Sequence, residues 1–228
     1  MNELASELPA AGRSAELFVT GPAGRLETLV AMPKAAPRGL CVVCHPHPLF
    51  GGAMTNKVVY TLAASALKAD YATARFNFRG VGKSSGLYDE ARGETDDALA
   101  VEAWLRAQLA LVSGQDAATL PLVLAGFSFG AYVALKAAAR RRPQKLVSIA
   151  IPFGRYVDAS EPPPHPQCPW LAVHSHDDDV VAFDATASAL RAYQPPPKLV
   201  EFDGAGHFFN GRLTELQDIV LPFMQATP

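Results

Sequence analysis

Short apolar runs rich in β-branched residues alternate with longer stretches whose apolar positions recur every three or four residues. Residues 15–20 and 25–32, joined at Gly21-Pro22-Ala23-Gly24, read as an entry hairpin. Residues 39–44 form a continuous apolar run, as expected of a strand covered on both faces. Asn56 then caps a helix predicted through about Lys68, with Val59, Leu62, Ala63, Ala66 and Leu67 on one side. Further strands are predicted at 71–78, 121–126, 145–151, 169–174 and 198–203. Helices are predicted at about 96–111, 129–141, 184–193 and 213–224.

This alternation predicts an α/β fold: a mostly parallel sheet of about eight strands with helices on both faces. No internal repeat divides the chain, and the two proline triplets, 162–164 and 195–197, read as stiff surface connections. The expectation is one domain over residues 1–228, with 1–14 a loosely ordered extension. The stretch between the strands near 151 and 169 is too short for a helical cap domain.

Composition narrows the function. Of 228 residues, 20 are Lys or Arg and 22 Asp or Glu, giving a net charge of −2 without a basic block. That balance argues against a nucleic-acid surface. No apolar run approaches the ~18 residues of a spanning helix. The N-terminus lacks the pattern of a secretory signal, and three cysteines are an odd number, so reduced thiols and a cytoplasmic location are expected. Cys41-x-x-Cys44 has redox spacing but lies in a strand pattern rather than at the start of a helix.

The chemistry concentrates in three places. Gly126-Phe127-Ser128-Phe129-Gly130 is a G-x-S-x-G sequence between an apolar strand and an alanine-rich helix. A strand-to-helix elbow there presents the Ser128 hydroxyl at a helix N-terminus, where backbone N–H groups favour developing negative charge. The bland alternative is Ser128 as an ordinary helix N-cap. A serine nucleophile needs a base held by an acid. His207, in a glycine-rich turn after the last strand, is the candidate base, and a structural turn histidine is the alternative. The acid should follow the preceding strand, where Asp177, Asp178 and Asp179 stand in a row, equivalent on spacing alone.

Serine, acid and histidine in that order resemble the α/β-hydrolase superfamily. More closely, the chain is similar to small, lidless bacterial serine hydrolases near the dienelactone hydrolase branch. The resemblance rests on an HPHP-type loop (45–52), an N-F-R-G-x-G-x-S-x-G segment (77–86) and the elbow (126–130), and it spans about residues 15–225. It implies an acid two residues before a valine pair, which is Asp178 here, in a motif whose glycine is replaced by Ser175. Dienelactone hydrolases use a cysteine nucleophile, whereas this chain carries Ser128.

Acyl transfer also needs oxyanion donors. The residue after the nucleophile, Phe129, should supply one backbone N–H. The second should come from Cys44-His45-Pro46-His47-Pro48-Leu49-Phe50-Gly51-Gly52. Prolines carry no N–H, which leaves His47 or Leu49 near the strand end, and the resemblance implies His47. On this view the loop presents the His47 amide, and the imidazole is dispensable. The alternative is a loop that merely turns the chain.

Two decoys remain. His174-x-His176-x-Asp178 matches the start of a metallo-hydrolase motif, with His45 and His47 as further ligand candidates, but Asp179 stands where a histidine is required. Gly82-Lys83-Ser84 resembles a phosphate-loop ending, yet Asn77 stands where that motif needs glycine. Among aromatics beside the site, Phe50, Phe127 and Phe208 are the candidate substrate contacts.

The sequence thus predicts a carboxylesterase- or thioesterase-type serine hydrolase acting on short acyl esters, with no metal and no organic cofactor. Its expected partner is a small-molecule ester or thioester, with no nucleic acid and no membrane. The alternatives are an acyltransferase using the same triad and a non-catalytic binding protein on the same scaffold.

Overall fold

The structure is a computed structural model that describes residues 7–154 and 162–227. The strands are β1 (Ser14–Gly21), β2 (Gly24–Ala31), β3 (Gly39–Cys44), β4 (Tyr71–Phe76), β5 (Leu122–Phe127), β6 (Lys145–Ile149), β7 (Trp170–Ser175) and β8 (Lys198–Phe202). The helices are α1 (Lys57–Lys68), α2 (Gly93–Ser113), α3 (Phe129–Arg141), α4 (Phe183–Arg191) and α5 (Leu213–Gln225).

The eight strands form one sheet in the order β1-β2-β4-β3-β5-β6-β7-β8. β1 and β2 make the antiparallel entry hairpin and β2 pairs antiparallel with β4, while every pairing from β4 to β8 is parallel. This is the mostly parallel sheet that the hydrophobic pattern predicts, in the α/β-hydrolase architecture that the resemblance implies. Period-two alternation explains why β3 is apolar throughout. Cys41 and Val43 pack into the core that holds α1 and α5, while Leu40, Val42 and Cys44 enter the core formed with α2 and α3.

β3, β5 and β7 all point their C-terminal ends to one edge, and the register sets Cys44 beside Gly126 and Ser175 beside Phe202. The loops after β3, β5, β7 and β8 therefore meet there, which is where an open parallel sheet keeps its site. Between β6 and β7 the described residues contain no helix. The part of that connection over 155–161 lies outside the described residues, as does the start of the predicted N-terminal extension.

Three expectations need correction. The extension over 1–14 is not loose throughout: Leu8 packs against the core, Gly12 N–H donates to the Pro33 carbonyl, and β1 already begins at Ser14. β4 stops at Phe76, because the Phe78 N–H goes to a histidine ring instead of the ladder. α2 starts three residues before the predicted Asp96. Glu94, buried in its first turn, accepts the N–H groups of Asp89 and Ala91 and fixes the preceding loop.

Candidate active site

Ser128 has φ 53° and ψ −124°, a conformation costing roughly 1–3 kcal/mol for a residue with a Cβ. Its neighbours hold it there: its N–H donates to the Ile149 carbonyl of β6, and its own carbonyl accepts from Ala131 of α3. The flanking glycines have a steric reason. A methyl group at Gly126 would stand 2.2 Å from the Gly130 carbonyl oxygen, and one at Gly130 only 2.3 Å from that of Cys44. α3 therefore starts in direct contact with the end of β3. The Ser128 side chain makes no capping bond to α3, so the ordinary N-cap reading does not hold.

Its Oγ instead lies 3.1 Å from His207 Nε2, and His207 Nδ1 lies 2.8 Å from Asp178 Oδ2. All three side chains are buried. Asp178 Oδ1 also accepts the N–H groups of Val180 and Val181 at 2.9 and 2.7 Å. Burial pushes the Asp178 carboxyl up. The bonds from His207, Val181 and Val180 outweigh it and hold the group below the usual carboxylate range.

The row of three aspartates divides its work. Asp178 meets the imidazole. Asp177 does not face only solvent, as a spare carboxylate would: it accepts from the Ser175 hydroxyl and from the backbone N–H groups of Ala205 and Gly206, which lead into His207. Those bonds, the Ser175 hydroxyl first, lower its pKa. Asp179 is exposed. The base loop is pinned further by Phe209, which is buried against Phe202 at 5.4 Å between ring centroids.

The loop after β3 is braced from β4. His45, fully buried, accepts the Phe78 N–H on Nε2 at 3.0 Å and donates from Nδ1 to the Pro46 carbonyl at 2.6 Å. Burial drives its pKa down to about 3, so the ring is neutral. Asn77 accepts the Met54 N–H and donates to Glu27, tying the far end of the same loop to β2. Leu49 N–H donates to His47 Nδ1 at 3.2 Å, which removes Leu49 as a free oxyanion donor. The His47 ring is not idle: its Nε2 meets the Tyr88 hydroxyl at 3.2 Å and it packs on Phe50, Tyr88 and Phe129.

Known proteins resemble this chain over most of its length. A family model described as X-Pro dipeptidyl-peptidase (S15 family) matches residues 23–161, well over half of the chain. The chain belongs to that S15 family. Among solved structures, this S15-family hydrolase is similar to a Xanthomonas campestris protein described as an α/β serine hydrolase without lid, with 38% identity and a TM-score of 0.84. The match covers 98% of this chain and 100% of that one. An α/β serine hydrolase homologue from Coxiella burnetii is 37% identical with a TM-score of 0.83, covering 95% and 99%. A Rickettsia prowazekii protein designated uncharacterized, RP471, is 31% identical over 92% of this chain and 88% of its own length.

Other sequence candidates fall elsewhere in this S15-family member. Phe127 is fully buried with its ring 5.0 Å from that of His207, so it supports the imidazole from below and cannot line an open acyl pocket. Phe50 and Phe208 are exposed at 86% and 44%, on the two loops beside Ser128. His176, in the turn after β7, meets Glu201 at 2.9 Å while His174 Nε2 meets the Val181 carbonyl at 2.9 Å, and among the described residues no group of three metal-ligating side chains converges. Cys41 and Cys44 are buried within β3, and burial raises both thiols far above their ordinary range. Lys83 pairs with Glu27, and the Ser84 hydroxyl donates to the Asn77 carbonyl, so that loop is occupied with its own bracing. The sequence offers His45 as a ligand candidate and Asp177 as a candidate acid but does not show the bracing roles they take, nor that of Asn77; the HPHP-type loop and the N-F-R-G segment carry the signal for His45 and Asn77.

Proposed function

We propose that the protein is a serine hydrolase that cleaves short-chain carboxylic esters or thioesters through an acyl-enzyme, working as a single α/β-hydrolase domain. The observation that carries this reading is the contact series Ser128 Oγ to His207 Nε2 at 3.1 Å and His207 Nδ1 to Asp178 at 2.8 Å, set on a strained elbow.

Ser128 Oγ attacks the carbonyl carbon while His207 Nε2 takes its proton. Asp178 keeps the Nδ1–H tautomer and stabilises the imidazolium. The oxyanion is met by the N–H groups of Phe129, in the first turn of α3, and His47, each donor being worth about 10²–10³ in rate. His207 then protonates the leaving alcohol or thiol, activates water, and the acyl group leaves as the acid. The residues need no metal or organic cofactor for these steps. Phe50 and Phe208 would contact the substrate at an open mouth, which favours short acyl groups. Among the described residues no helix is long and apolar enough to cross a membrane; a small-molecule partner and a cytoplasmic location complete the reading.

A second reading, peptide cleavage after proline, is favoured by the family's description. The two separate on p-nitrophenyl acetate, butyrate and octanoate beside an Xaa-Pro-p-nitroanilide. Ester turnover falling with chain length and absent in Ser128→Ala supports ester hydrolysis. Turnover of the anilide alone would replace it with the peptidase reading, and ester turnover that rises with length would refute the short-acyl preference.

A further inference from the structure

We infer that His45 is a positioning residue that sets the oxyanion site: by holding the Pro46 carbonyl it fixes the orientation of the Pro46–His47 peptide and hence of the His47 N–H. This rests on the reading of His47 as an oxyanion donor and deepens it.

The hydrogen bonds assign the tautomer. The Phe78 backbone nitrogen can only donate, so His45 Nε2 is the acceptor and Nδ1 carries the proton. That proton is given to the Pro46 carbonyl at 2.6 Å. In a trans peptide the carbonyl and the following N–H point to opposite sides, so fixing one fixes the other. A flip of this peptide would turn the His47 N–H toward the His45 ring and bring a carbonyl oxygen to the face where the oxyanion forms. It would also set the Nδ1–H against another N–H, and the buried ring has no alternative partner in the described contacts.

Two further features hold the peptide. Gly52 closes over it, since a methyl group at Gly52 would stand 2.1 Å from the Pro46 oxygen. Gly52 N–H and Phe50 N–H both donate to the His47 carbonyl, which orients the next peptide as well. The ring of His45 is itself fixed against Phe78 at 4.5 Å, so the orientation of the loop is referred back to the end of β4. His45 touches none of the reacting atoms in this scheme. It acts through one peptide.

Two amide substitutions separate the two ring nitrogens. Asparagine can place its side-chain amide near the Nδ1 position and keep the donor to Pro46, whereas glutamine reaches the Nε2 position and keeps the acceptor for Phe78. Each is expected to lose one buried hydrogen bond and a similar amount of thermal stability. On p-nitrophenyl acetate, H45Q should lose roughly ten- to a hundredfold in kcat with KM little changed, while H45N stays within about threefold of wild type. Inhibition by an aryl trifluoromethyl ketone, whose adduct carries an oxyanion, should weaken in H45Q in parallel with kcat. Gly52→Ala presses on the same peptide without altering the histidine and should lower kcat in the same way. Activity retained in H45Q, losses in both histidine variants that simply follow Tm, or full kcat in a folded G52A would each overturn the proposal. Wild-type protein inactive toward both ester and ketone would instead sink the esterase reading on which it rests.

Discussion

Gly130→Ala tests the link between packing and chemistry. The added methyl would stand 2.3 Å from the Cys44 carbonyl oxygen and 2.4 Å from that of His45, both backbone atoms at the end of β3. Ordinary contact begins near 3.4 Å, so α3 and the loop after β3 must separate by about 1 Å. The Phe129 N–H rides on α3 and the His47 N–H on that loop, so the separation would open the proposed oxyanion site directly. A misplacement of about 1 Å can cost on the order of 10²-fold in rate. Overpacking of this kind costs roughly 1–3 kcal/mol, which lowers Tm by several degrees in a chain of this size. The assay is steady-state hydrolysis of p-nitrophenyl acetate beside a thermal melt. The expected result is a folded protein whose kcat falls by about ten- to a hundredfold with KM held. Wild-type kcat in a folded variant would refute the reasoning, because the two donors could then move apart without consequence.

Acid stability offers a second check. His45 has a folded pKa of about 3 against 6.5 for the free side chain, so below pH 6.5 the unfolded chain takes up a proton that the folded chain refuses. Stability should therefore fall as pH drops from 6.5 toward 3, by about 1.4 kcal/mol per pH unit from this group, with His47 and His174 adding in the same direction. Urea unfolding at pH 7.5, 6 and 5 measures the slope, and a flat profile would contradict the buried neutral ring. Asp177→Ala removes the acceptor for Gly206 and one of the two for Ala205 and should lower kcat by about tenfold with KM held, through looser placement of His207, whereas exposed Asp179→Ala should match wild type. Equal kinetics for the two variants would show that Asp177 does not position the base loop.

Much of the fold is legible in the chain because buried parallel strands demand continuous apolar runs and flanking helices demand a different period. The run at β3 and the span of α3 are read at their observed limits. Boundaries drift where side chains rather than ladders satisfy the backbone, as at Phe78 and Glu94. The elbow is readable for a steric reason, since G-x-S-x-G records close approaches that only glycine allows. Phe127 is misread because proximity in sequence says nothing about the face of a strand; its side chain enters the core of α1 and α5 beneath His207. His45 is misread for a different reason. Two histidines in one loop suggest ligands, whereas one spends both nitrogens on backbone groups, including Phe78, 33 residues away. Pairing across that separation comes from the β3–β4 register, which no local pattern carries.

On the proposed mechanism the Ser128 hydroxyl is an activated nucleophile, and a fluorophosphonate probe followed by peptide mass spectrometry tests this. The expected result is a single adduct on Ser128, absent from Ser128→Ala and strongly slowed in Asp178→Asn, in protein with unchanged thermal stability. A folded wild-type protein that gains no adduct at Ser128 under conditions that label a known serine esterase would contradict it.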